Sequence, residues 1–324
     1  MILDLDLTLF DANPNTTGDA SLSAEMRTYY SDYLIDNAKP NLVHDQFGQK
    51  HAIPKNGGKT IQFRKFMPFS KATNPLTEGI TPDGGSLSVT NVTATVDQYG
   101  YYVTISDMLM LTAIDNTLVE TTKLLGAQAG STLDTITREV LNGGTSVMYS
   151  GGKEARDAIT EADKLTVDDI FKAARFLKTQ NTPKINGSYV AIIHPDVAYD
   201  LMRDEEWVDV HKYSNATEIF EGEIGKLGGV RFVESTEAKI FADAGSGGRD
   251  VYSTLVLGAN AYGVTEVTGG GLEHIVKQLG SGGTADPLNQ RATAGWKGTK
   301  TAERLVENYM IRIESASSFE GGSN

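Results

Sequence analysis

Between Ile114 and Val140 the apolar residues fall at three- and four-residue steps: Ile114, Leu118, Leu125, Ala129, Leu133, Ile136 and Val140, with Thr122 filling one gap. Such steps keep side chains on one face of an α-helix, so the segment predicts one long helix with a single apolar stripe. Asn142-Gly143-Gly144 supplies its stop, because glycine accepts the left-handed conformation that closes a helix C-terminus. At 1.5 Å rise per residue such a helix is about 40 Å long. A rod of that length suits a structural spine better than the wall of a compact pocket.

The chain before the rod has a different character. The opening is turn-rich (ANPNTTGD), and a short helical pattern follows in LSAEMRTYYSDYLIDNA, with Met26, Tyr30, Tyr33 and Leu34 on one face. Pro40 stops it. From residue 59 the pattern changes to alternation: Ile61 and Phe63 face one way, Thr60, Gln62 and Arg64 the other. LSVTNVTATV and YYVTIS are rich in Val, Thr, Tyr and Ile, the composition of strands. Between these runs lies a turn-rich tip with Pro68, Pro75, Gly79, Pro82, Gly84 and Gly85. Residues 59–105 therefore read as one long hairpin with little core of its own.

After the rod, helices and strands mix. Thr166 and Asp169 form the pattern of a capping box ahead of VDDIFKAARFLKT. Tyr189 to Ile193 is a short buried strand, and His194-Pro195-Asp196 turns it into the helix VAYDLMRD. GGVRFVES, STLVLG and RLVENYMIRIES supply further strands. No regular βαβ rhythm connects them, so the fold class is α+β rather than a doubly wound sheet.

Composition narrows the function. The 324 residues are 40% hydrophobic and 22% charged, an ordinary balance for a folded chain, with a formal net charge of -13. Gripping nucleic acid requires clustered Lys and Arg, and no such cluster is present. The absence of cysteine excludes disulfides and thiolate metal sites. The start, MILDLDLTLFD, has no basic residue before Arg27, so no secretory signal is expected. No apolar run approaches membrane-spanning length.

Motifs that suggest chemistry fail on their surroundings. Asp4, Asp6 and Thr8 match the DxDxT pattern of haloacid-dehalogenase phosphatases, in which the first Asp attacks phosphorus and the second handles protons. The attack needs a preceding buried strand, for which only Met1, Ile2 and Leu3 are available, and Leu7 replaces the usual Gly. No strand with a paired-acid Mg²⁺ motif follows; Asp168-Asp169 opens a helix. A terminal arm with alternating acids is the better reading. Gly295 to Thr301 (GWKGTKT) echoes a phosphate loop, but Thr299 separates the last Gly from Lys300, and RATA before it does not read as a strand. The GSGG runs at Gly245 and Gly280 are loops. His44, His51, His194, His211 and His274 lack zinc spacing, and His194 before Pro195 reads as a turn or capping residue. No nucleophile elbow is present. No catalytic residue, metal ligand or cofactor site is assigned.

Taken in order, NLVHDQFGQKHAIPKNGGKTIQFRKF, PLTEGITPDGG, QYGYYVTISDML, YVAIIHPDVAYDL, GEIGKLGGVRFVES and LGSGGTADPLNQRATAGWKGT resemble the major capsid proteins of the coliphage N-four-like family of tailed bacteriophages. The resemblance runs from about Leu22 to Ser317. It implies the Hong Kong 97-type capsid fold: an N-terminal arm at 1–50, an extended hairpin loop at 51–106, a peripheral domain with the spine helix at 107–162, an axial domain at 163–285, and a return to the peripheral domain at 286–324. It further implies a protein that is not an enzyme. Such a protein self-assembles into pentamers and hexamers of an icosahedral head and encloses double-stranded DNA without binding it specifically.

Scaffolding, portal and decoration proteins are the possible partners, and no membrane is involved. The expected location is the virion, with assembly in the host bacterial cytoplasm. Some relatives carry a fused scaffolding segment before the arm. Here the loop begins near residue 55, so a separate scaffolding protein, or none, is expected. Two alternatives stand beside this reading: an encapsulin-like compartment shell, which shares the fold but holds a cargo enzyme, and a phosphatase using Asp4 and Asp6. Particle size separates a shell from an enzyme.

Overall fold

The computed structural model describes residues 34, 38, 42–52, 59–66, 69, 71–73, 75, 78–79, 81, 84–112, 117–212, 225–266, 272–282, 286–322 and 324. The apolar stripe forms its helix. Helix α1 (Asp107–Thr112) is followed by α2 (Thr117–Asn142), whose 26 residues make the rod. Ile114 lies outside the described residues. Leu125, Ala129 and Leu133 are buried, as the spacing requires.

Their partners are strands distant in sequence. Strands β1 (Gln49–His51), β2 (Thr60–Phe66), β3 (Val89–Thr95) and β4 (Asp97–Ser106) precede the helix. Later come β12 (Leu272–Lys277) and β13 (Arg291–Lys300). Strands β12, β13 and β4 form an antiparallel sheet in that order. Its inner face carries Leu272, Ala294 and Trp296 against Leu125, Ala129 and Leu133 of α2, with Leu34, Ala38 and Leu42 completing the cluster. Trp296 Nε1 donates to Gln128 Oε1 at 2.6 Å, which satisfies the indole while its ring is buried.

A second, larger body lies beyond the C-terminal end of α2. It uses β5 (Val147–Tyr149), β6 (Tyr189–Ile193), β7 (Lys226–Leu227), β8 (Val230–Glu234), β9 (Ile240–Phe241), β10 (Val251–Leu257) and β15 (Met310–Ser315). The strands run β5-β15-β10-β6-β8-β7, with β9 paired to β10. Helices α3 (Val167–Thr179), α4 (Pro195–Met202) and α5 (Glu205–Lys212) cover one face through Ile170, Ala173, Ala174, Leu177, Val197, Leu201 and Trp207. Leu141 of α2 and Tyr262 pack on the other through Ile192, Leu255 and Leu257. Burial on both faces is why β6 is apolar without alternation and why every residue of β10 is buried, Ser253 and Thr254 included. The capping box of Thr166 and Asp169 forms, and His194 caps α4 by accepting the Asp196 amide at 3.2 Å.

Two sequence expectations need correction. The segment 59–105 is not one hairpin: β2 pairs with β3, but β4 leaves to pair with β13 over its whole length. Nor does all of 286–324 join the long helix. Strand β13 does, and β14 (Ala302–Arg304) pairs with β11 (Tyr262–Thr265), but β15 stands inside the larger sheet between β10 and β5. Alternation marks a strand without naming its partner, and every one of these partners is remote in sequence.

Candidate inter-subunit surface

The hairpin of β2 and β3 has a locked base. Ile61, Phe63, Ala94 and Val96 are buried with Leu305. The Phe63 ring packs close against Gly263, where a Cβ would come within 2.4 Å of it. The His51 ring adds a T-shaped contact with Phe63 at 4.8 Å between centroids. The hairpin therefore roots in the molecule instead of standing free. Beyond the root it is bare: Gln62 and Arg64 are exposed on the outer face, and Phe69, Leu87 and Val89 are exposed farther out. Among the described residues neither edge of this two-stranded sheet has a strand beside it. Isolated two-stranded sheets are marginal in water, and proteins normally cover such edges.

A second exposed apolar surface follows in sequence. In α1, Met108, Leu109, Met110 and Leu111 are all exposed, between 40% and 80%. A helix whose apolar residues find no core marks a surface that another body covers. Next to it, the outer face of the β4–β13–β12 sheet holds an open groove of about 620 Å³ lined by Tyr102, Ile275, Lys277, Gly295 and Lys297 among others.

Beneath these surfaces a buried polar network fixes the start of the described chain to the spine. The His44 amide donates to Asp134 Oδ1 at 2.7 Å, and His44 Nδ1 meets Asp134 Oδ2 at 2.6 Å. Asp45 accepts from Thr137 Oγ1 at 2.6 Å and pairs with the Lys300 ammonium. The Tyr262 hydroxyl donates to the His44 carbonyl, and burial holds that phenol well above its ordinary pKa. Arg156 makes a two-pronged contact with Glu314 at 2.7 and 2.8 Å, which raises its pKa; Arg312 meets the same carboxylate at 2.7 Å, but burial lowers its own. These charges are paired with opposite charges, the arrangement of a structural brace.

Among the described residues, those suspected of chemistry do not converge. Asp4, Asp6 and Thr8 lie outside the described residues. The run from Gly295 is extended backbone within β13, and Arg291 to Ala294, not expected to be a strand, is the first part of it. Phosphate loops need a strand-to-helix turn at this point, so the echo has no structural counterpart. Asp168 and Asp169 sit in the first turn of α3. Among the described residues no group of three His, Asp or Glu side chains could hold a metal ion, and no helix is long and apolar enough to cross a membrane. Strands β2 and β3 were legible from composition; the groove was not, because its walls come from strands far apart in sequence.

Comparison with known proteins points the same way. Residues 90–302 match the model of a family described as phage capsid protein. No curated protein matches the chain. Among solved structures, the capsid of cyanophage P-SCSP1u is similar at 18% identity and TM-score 0.65, over 86% of this chain and 89% of that one. The capsid of Ralstonia phage GP4 is similar at 16% identity and TM-score 0.68, over 87% and 90%. A virus-like particle from Pyrococcus furiosus is similar at 11% identity and TM-score 0.52, over 89% and 99%. At these identities the likeness is one of fold, and the fold is the Hong Kong 97-type capsid fold expected from the sequence.

Proposed function

The chain belongs to the phage capsid protein family, and we propose that its bare hairpin and exposed apolar faces are the contacts through which it closes a shell. It is a major capsid protein, a structural component of the virion head and not an enzyme. The observation that carries this reading is the hairpin: a rooted base, apolar residues beyond it, and no covering strand among the described residues. Rings of identical copies use head-to-tail contacts, in which one surface of each copy meets a different surface of the next. A hairpin on one side and the exposed apolar face of α1 elsewhere provide such unlike surfaces.

The finer reading follows from the same features. The shell consists of pentamers and hexamers of this chain. Helix α2 with β4, β12 and β13 is the peripheral unit, the seven-stranded body is the axial unit, and residues 1–50 are the arm. Membership of the coliphage N-four-like branch is supported by the ordered segments quoted above. The net charge of -13 suits a lining that holds DNA without gripping it. Scaffolding, portal and decoration proteins are the partners proposed, and assembly takes place in the host cytoplasm.

The likeness to the virus-like particle supports one second reading, a compartment shell with a protein cargo. Electron micrographs of the purified chain test both. Uniform closed shells are expected, and finding only rings or smaller species under assembly conditions overturns the proposal. Particles from infected cells that contain protein cargo and no DNA favour the second reading.

A further inference from the structure

The N-terminal acids have no assigned role once phosphatase chemistry is set aside. Their pattern is informative: Leu3, Leu5, Leu7 and Leu9 alternate with Asp4, Asp6 and Thr8. In an extended strand this puts four leucines on one face and carboxylates on the other. Four leucines on one face need an apolar seat, and the acids need cations near it.

The outer face of the β4–β13–β12 sheet offers both. Its register aligns Ile275, Gly295 and Tyr102 in one row across the three strands. Gly295 contributes no side chain to this row, where a Cβ would stand 2.7 Å from the Cβ of Tyr102, and the open groove passes over it between Tyr102 and Ile275. Both are uncovered, with Tyr102 70% and Ile275 37% exposed. Lys277 and Lys297 line the same groove, Lys297 in an ion pair with Glu273 at 3.3 Å. Among the described residues Lys277 has no ion-pair partner. Long lysine stems can lift their ammonium groups past a layer of leucines to carboxylates on its far side.

Reach is no obstacle. Leu34 packs in the cluster beneath the same sheet. With the helical pattern from Leu22 to Leu34 rising about 1.5 Å per residue and Asp11 to Leu22 extended, the stretch still spans up to about 54 Å.

We propose that the segment from Ile2 to Asp11 docks as an extended strand on this outer face, with leucines seated around Gly295 and Asp4 and Asp6 facing Lys277 and Lys297. This goes beyond shell formation and does not depend on it. The test places a photoreactive benzoylphenylalanine at Tyr102 of the full-length chain and maps the captured peptide by mass spectrometry. Capture of residues 2–11 is expected. The Lys277→Glu, Lys297→Glu double variant should lower that capture roughly tenfold at low salt, and adding Asp4→Lys and Asp6→Lys should restore it. Capture of the hairpin tip or of another protein, or no capture at all, overturns the proposal. So does capture of residues 2–11 that ignores the charge changes. Sedimentation of each variant reports assembly separately.

Discussion

Lys300 is the charged side chain with most at stake. It is fully buried at the end of β13, and the Asp45 carboxylate is its partner. Asp45→Asn leaves an ammonium in the interior without an opposite charge, a change that costs about 3–5 kcal/mol. Urea unfolding of unassembled subunits should show a loss of that size, and Asp45→Asn with Lys300→Met should recover much of it. Asp200 makes a pH-dependent contribution. Burial alone would raise its pKa, but Ser318 through its hydroxyl and amide, Ser317 and Lys164 together hold it below the ordinary value. A depressed carboxyl stabilises the fold above the unfolded-state pKa, about 3.9, and that contribution is lost as pH falls through the folded value. Asp200→Asn should therefore be less stable than the parent at pH 7, with the difference shrinking as the pH drops below about 4. Unfolding curves across that range check it; a gap that stays constant contradicts the assignment.

At the scale of elements, the hairpin divides into a root and a tip. Phe63 is fully buried against Gly263, so Phe63→Ala should cost about 3–5 kcal/mol in subunit stability. Replacing Met67 to Leu87 with a short Gly-Ser linker should instead leave a cooperatively folded subunit that builds no shells. Calorimetry and sedimentation separate the two effects, and normal particles from the linker variant would show that the tip is dispensable. The long helix was legible because Leu125, Ala129 and Leu133 repeat at helical steps, and the caps at Thr166 and His194 are local. What escaped sequence reasoning is long-range. His44 and Asp134 are 90 positions apart, and Asp45 and Lys300 are 255 apart. The partners of β4 and β15 are equally unmarked by local pattern. The same holds for the groove at Gly295, whose walls meet only after three strands align.

At the scale of the molecule, a long spine helix and a sheet body carry contact surfaces that a lone chain leaves bare. The formal net charge of -13 opposes tight electrostatic binding to nucleic acid. On this reading the chain completes itself with copies of itself. Sedimentation velocity of the purified full-length protein tests that most directly. The account predicts that folded subunits convert to one fast species of multi-megadalton mass as protein concentration rises. A folded chain that stays a monomer or small oligomer across the whole range of protein and salt concentration contradicts it.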